Sequence, residues 1–275
     1  LPLAAGELAR LTLHEILEAE FDATADTFHL SRSLLTSGAS QFSVSATLND
    51  YVHPKVVAQY QASLDTGELR QVLKDATLPV GVVKLVGSGN FTSDPNKPVI
   101  QTVSLDGNVS STSLQIHTTT IHTQLRDISA RYIVKEGNAE LRDLRTALLG
   151  GRMNGNFTMK DITGAQVSEL QATLHNIALA SIQALVNPQA MRDLRLTGTA
   201  NANLNARWRK TFDTLTARTD AKAAGTAISR QATIPVTADV HAVYSAGAQT
   251  VSFSQSQIRS GQTRMKRNHS IRFQD

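Results

Sequence analysis

The chain has no cysteine among its 275 residues. This excludes a disulfide framework, a thiolate metal site and a cysteine nucleophile, and fits either the cytosol or the periplasm. Aromatic residues are scarce, at 5% with a single tryptophan, which weighs against a stacking platform for single-stranded nucleic acid. No stretch approaches the ~18 apolar residues of a membrane-spanning helix. Leu1-Pro2-Leu3-Ala4-Ala5-Gly6 is short and lacks the basic start of an export signal. The motifs of several enzyme classes are also missing. There is no His-Glu-x-x-His and no Gly-x-Ser-x-Gly. Gly81 to Gly89 lacks the Lys-Ser/Thr end of a phosphate loop and does not lead into a helix. Its Gly87-Ser88-Gly89-Asn90 run is therefore read as a hairpin turn.

Charge of either sign is thinly spread. The formal net charge is +4 and the pI about 9.5. Only Arg264-Met265-Lys266-Arg267, with Arg272 beyond, forms a cluster. It is read as a solvated tail, with contact to acidic headgroups or nucleic acid as the alternative.

What the chain has is alternation. Val103, Leu105, Gly107 and Val109 fall on one parity, with Thr102, Ser104, Asp106 and Asn108 on the other. The same holds for Phe42 to Leu48, Ala58 to Leu64, Ile128 to Val134, Met153 to Met159 and Val236 to Tyr244. A period of two predicts antiparallel strands with one dry and one wet face. Asp94-Pro95-Asn96, Glu136-Gly137-Asn138, Gly150-Gly151, Gly164 and Ser245-Ala246-Gly247 punctuate the runs as turns. Two short amphipathic helices are expected, near 66–75 and 179–191. Leu69, Val72 and Leu73 have helical spacing in the first, and Asp65 with Glu68 resembles a capping box. In the second, Asn176 is the expected cap of a helix carrying Leu179, Ile182 and Leu185, which Asn187-Pro188 ends.

The pattern also returns at about 110 residues. Ala58 to Leu64 recurs as Ser168 to Leu174, Gly137 to Leu141 as Gly247 to Val251, and Gly151 as Gly261. A fixed period means one structural unit copied along an axis. The expected division is a partial first repeat over 1–78, a complete one over 79–191 and a partial third over 192–275, in one continuous body. The frame is cut at both ends and the chain opens on Leu1, so a piece of a longer protein is expected.

Asp65-Thr66-Gly67 spells the aspartic-protease triplet, whose chemistry needs two carboxylates sharing a proton. The equivalent place in the next copy is His175, and no second triplet exists in the chain. Helix capping explains Asp65 instead. His117 and His122, five apart, are assigned to opposite faces of strand-like sequence, and His175 and His241 are read as structural or surface residues. No metal site or cofactor is expected, and no enzymatic activity. The Asn-x-Ser/Thr sites at Asn90, Asn108, Asn156 and Asn268 are expected by chance in so polar a chain.

Residues Asn138 to Phe157, with Gly150-Gly151 followed by Asn154-Gly155-Asn156-Phe157, resemble a recurring phrase of the AsmA and TamB proteins. Leu64 to Leu73 is similar to their short inter-repeat helix, and Leu78 to Phe91 to the strand that follows it. The resemblance spans about residues 55–260. It implies a mainly β, elongated, curved antiparallel sheet, a U-shaped groove with a short helix per repeat. Such proteins are anchored in the bacterial inner membrane and extend into the periplasm. They are tied to phospholipid transport between membranes and to outer-membrane assembly. The implied partners are phospholipid acyl chains, the inner membrane through an anchor outside this chain, and outer-membrane assembly proteins, with no nucleic acid. Combining the resemblance with parity, the expected groove lining is Val103, Leu105, Val109, Ile128, Tyr132, Val134, Leu141, Met153 and Phe157. The alternative is a structural β-repeat, a stalk or surface adhesin whose dry faces bury each other.

Overall fold

A computed structural model describes residues 13–22, 26–74, 78–117, 122–186, 194–229, 232–261, 263–268 and 270–272. The chain is mainly β, 73% strand, in antiparallel sheet with three short helices. Contacts divide it into two compact units, Leu1–Leu141 and Arg142–Asp275. The division falls within a strand, Asn138–Leu148.

The first unit is a meander. Strands β1 (Leu13–Asp22), β2 (Thr27–Ser37), β3 (Ser40–Asn49) and β4 (Lys55–Asp65) pair in order. Helix α1 (Thr66–Leu73) then leads to β5 (Val80–Thr92), and the single turn α2 (Val99–Thr102) to β6 (Val103–His117) and β7 (His122–Lys135). Strand β8 is Asn138–Leu148. The second unit continues with β9 (Gly151–Lys160), β10 (Val167–Ala178), helix α3 (Leu179–Val186), β11 (Arg195–Arg209), β12 (Thr211–Ile228) and β13 (Thr233–Ser245). One half of β13 pairs with β14 (Thr250–Phe253) and the other with β15 (Ser256–Ser260). Strands β16 (Thr263–Arg267) and β17 (Ser270–Arg272) pair with β15 and β14. The basic cluster expected as a tail is thus largely strand β16: Lys266 lies opposite Gln257, and Arg264 donates to the Gln257 side chain at 2.5 Å. Among the described residues, no helix is long and apolar enough to cross a membrane.

Bulges keep the dry residues on one face. In β10 the register shifts between Leu174 and Ile177, and the extra residue Asn176 takes a left-handed φ of 54°. Leu170, Ala172 and Leu174 therefore share a face with Ile177 despite the change of parity, and Ile177 is 4% exposed. Asn176 was the expected cap of α3, but the strand runs on to Ala178 and the Asn176 amide instead donates to the Asn201 side-chain oxygen at 2.9 Å. The expected helix end at Asn187-Pro188 lies outside the described residues.

Asp65 does cap α1. Its Oδ1 accepts from the amides of Gly67 at 2.7 Å and Glu68 at 3.1 Å. Glu68 does not reach back as a capping box requires. Its carboxylate accepts from the Ala39 amide and the Ser40 hydroxyl, both at 2.8 Å, and Ser40 Oγ takes the Asp65 amide. Thr66 Oγ1 bonds both the carbonyl and the amide of Gly81. Asp65 is thereby engaged in capping α1, while Glu68 ties the helix to the β2–β3 turn and Thr66 ties it to β5. Asp65→Ala should cost about 0.5–2 kcal/mol of stability in urea unfolding, the usual loss of an N-cap.

Gly87 and Gly89 do not make the expected turn. They lie inside β5, opposite Tyr60 and Ala58 of β4. Gly87 faces Gly107 of β6, which faces Tyr132 of β7. Two tyrosines thus flank two glycines in one row, and their hydroxyls meet over the row at 2.5 Å. A Cβ on Gly87 would lie 2.6 Å from the Asp106 carbonyl and 2.7 Å from Tyr132 Oη; on Gly107 it would lie 2.4 Å from the Val86 carbonyl and 2.6 Å from the same oxygen. The glycines are strand residues because the tyrosine rings need the space. Alanine usually stabilises a strand over glycine by about 0.5–1 kcal/mol. Here Gly87→Ala and Gly107→Ala should destabilise instead, by about 1–3 kcal/mol, the scale of overpacking. Equilibrium unfolding of the two variants reads the sign.

Candidate functional sites on the two sheet faces

Direct cross-strand partners share a face, so the register locates each expected groove residue. In the first unit Val103 lies opposite Phe91, Leu105 opposite Gly89 and Val134, and Val109 opposite Leu85 and Ala130. Ile128 faces Ser111 and Tyr132 faces Gly107. These six expected residues occupy one face, with Tyr60, Val44, Phe42 and Leu48 farther along it. In the second unit Met153 faces Leu174 and Phe157 faces Leu170. Phe157 stacks on Trp208 at 5.8 Å, and Trp208 meets Phe212 at 5.1 Å. Leu141 lies in β8 and is half-buried.

The burial of these faces is unusual. Among the described residues the fully buried apolar side chains are Ala62, Ala130, Ala172, Ile177, Ala200 and Ala206. All nine expected lining residues are half-buried instead. The only described side chain under 2% exposed is Ser168. Where two sheets pack face to face, large apolar side chains fill the interior. Here the small residues are buried by their own strand neighbours and the large ones remain partly exposed. The dry strand positions of β3 to β7 from Phe42 to Val134 include no Asp, Glu, Lys or Arg.

A hydroxyl pair, Tyr60 with Tyr132, stands among the apolar residues of this face. Burial pushes the Tyr132 phenol well above its ordinary value, and the hydrogen bond to Tyr60 adds to the shift. A group whose pKa is raised by folding contributes stability that is complete below its unfolded pKa of about 10 and lost as pH rises above it. The stability advantage of the wild type over Tyr132→Phe should therefore shrink between about pH 9 and pH 12. Urea unfolding of both proteins across that range tests this, since the remaining tyrosines and lysines are common to the two.

The opposite face carries features that sequence reading did not find. In the first unit a cavity of about 780 Å³ opens there, lined by Arg32, Gln59, Gln61, Ser88, Asp106, Asn108 and Arg131 among others. Arg131 forks onto the Asp106 carboxylate with contacts of 2.9 and 2.5 Å. In the second unit a cavity of about 330 Å³ is lined by Thr173, His175, Asn203, Asp220, Lys222, Asp239 and His241. His241 Nδ1 lies 2.6 Å from Asp220, and its Nε2 lies 3.4 Å from Asp239. That contact holds the Asp220 carboxyl below the usual carboxylate range. His241, expected to be structural or superficial, is thus a hydrogen-bonded link between two strands. These partners are far apart in sequence, and only the register brings them together. His117 and His122 also differ from expectation. They are direct partners across β6 and β7, with rings 5.3 Å apart. No group of three metal-ligating side chains occurs among the described residues.

Neither a protein-family model, nor a characterised protein, nor a solved structure matches this chain.

Proposed function

We propose that the apolar faces hold acyl chains, and that the chain is a segment of an inner-membrane-anchored periplasmic protein that conducts phospholipid between membranes or serves outer-membrane assembly. The observation that carries this reading is the incomplete burial of Val103, Leu105, Val109, Tyr132, Val134, Met153 and Phe157, together with the absence of ionic side chains from the dry positions of β3 to β7. Contiguous exposed apolar surface of several hundred Å² is uncommon on a soluble monomer and marks an interaction site. An acyl chain is the matching ligand, gaining roughly 0.8 kcal/mol for each methylene it removes from water. The resemblance to AsmA and TamB supports the same reading. The finer architecture it implies, an elongated U-shaped groove of about 110-residue repeats with one short helix each, is part of this proposal. So is the absence of a catalytic role.

Photocrosslinking amino acids test it. Placed at positions 105, 132 and 157, they should capture phospholipid from vesicles of phosphatidylethanolamine and phosphatidylglycerol. Placed at 104, 131 and 156, on the opposite face, they should not. Folded protein without lipid adducts at any of the six positions would overturn the lipid path and leave a structural β-repeat.

A further inference from the structure

The Tyr60–Tyr132 pair has a hydrogen-bonding capacity that the protein uses only in part. Two phenols carry two protons. One is consumed in the 2.5 Å bond between the hydroxyls. Among the described residues neither hydroxyl pairs with any other protein group. Mutual bonding therefore leaves one O–H over, and it stands on a largely apolar face between Leu105, Val109 and Val134 on one side and Val44 and Phe42 on the other. Accepting a bond from its partner also makes the second phenol a stronger donor.

We propose that this hydroxyl pair anchors the ester carbonyl of an acyl chain lying on the face. The inference rests on the acyl-binding reading above and specifies where the polar end of the chain sits. The recognition is by chemistry. A free donor on an apolar surface selects an acceptor oxygen. The surrounding dry positions supply no Lys or Arg to neutralise a charge. A carboxylate placed there would lose hydration without gaining a counter-ion, whereas a neutral ester carbonyl loses little. The ester is therefore preferred to the free fatty acid. Gly87 and Gly107 are part of the same device, because any Cβ there would collide with Tyr132 Oη or with the neighbouring carbonyls. They let the rings lie flat and bring the hydroxyls together.

Three fluorescent probes with one pyrene-labelled chain separate the possibilities: the methyl ester, the free acid and an alkane of equal length. Each is titrated at neutral pH against wild type and Tyr60→Phe/Tyr132→Phe, a double change that keeps both rings and removes both hydroxyls. The wild type should bind the ester more tightly than the alkane or the acid. The double variant should lose about two- to tenfold in ester affinity, the value of one neutral hydrogen bond, and bind the alkane unchanged. The unchanged alkane affinity also shows that the face is intact. If ester and alkane bind both proteins alike, the anchor is wrong while the apolar site stands. If the acid binds the wild type as tightly as the ester does, the preference for a neutral carbonyl is wrong. If no probe binds the wild type, the acyl-binding reading itself fails, and the anchor with it.

Discussion

Side-chain parity is the constraint on which the rest of this structure depends. In an antiparallel sheet a slip of one residue moves every side chain to the other face. With little fully buried apolar surface to fix the register, the chain holds it through local devices. The bulge at Asn176 returns Ile177 to the dry face after the alternation breaks. In β13 the ladder changes partner from β14 to β15 around Gln255, at a φ of 51°, and the 3%-exposed Ser256 hydroxyl bonds both the amide and the carbonyl of His241 across the gap. Both devices use short polar side chains, which satisfy backbone groups that an interrupted ladder leaves without partners.

The two faces are stabilised by different physics. On the dry face the buried side chains are small, such as Ala62, Ala130 and Ala172, so dispersion between neighbouring strands dominates and large residues contribute only partial burial. On the wet face, cross-strand pairs such as Arg131 with Asp106 and His241 with Asp220 pin neighbouring strands. These side chains are substantially exposed, so each pair is worth little alone. Their value lies in register, since each pair is made only when the correct residues face one another.

The strands were readable in the sequence wherever alternation ran unbroken. Val103 to Val109, Ile128 to Val134 and Met153 to Met159 fall in β6, β7 and β9 with the expected parity, because a period of two needs no knowledge of the partner strand. Reading failed where the deciding group is distant. Gly87-Ser88-Gly89-Asn90 has the composition of a turn, and the reason it is a strand is a pair of tyrosines at positions 60 and 132. His117 and His122 were assigned to opposite faces of strand-like sequence because positions 118–121 carry no Gly or Pro to separate them. The ionic cluster around His241 was invisible for the same reason, as its members are brought together only by register.

The same parity decides how a ligand would be recognised. A face built from alternate residues is chemically uniform along its strands, and uniform apolar surface discriminates poorly between chains of similar length. Selectivity has to come from a local interruption. In the first unit the interruption lies in one row, where Tyr60, Gly87, Gly107 and Tyr132 are direct neighbours across four strands. Glycine supplies the room, tyrosine the reach, and the 2.5 Å contact between hydroxyls joins β4 to β7 without any backbone bond between them. A polar point of this kind on a largely apolar sheet would orient a long ligand at the cost of one desolvated hydroxyl. A second ionic group would bind an anion more tightly but would carry a desolvation cost of several kcal/mol whenever the site stood empty of its counter-charge. Neutral donors are therefore the physically economical way to place direction on a surface whose main property is apolarity.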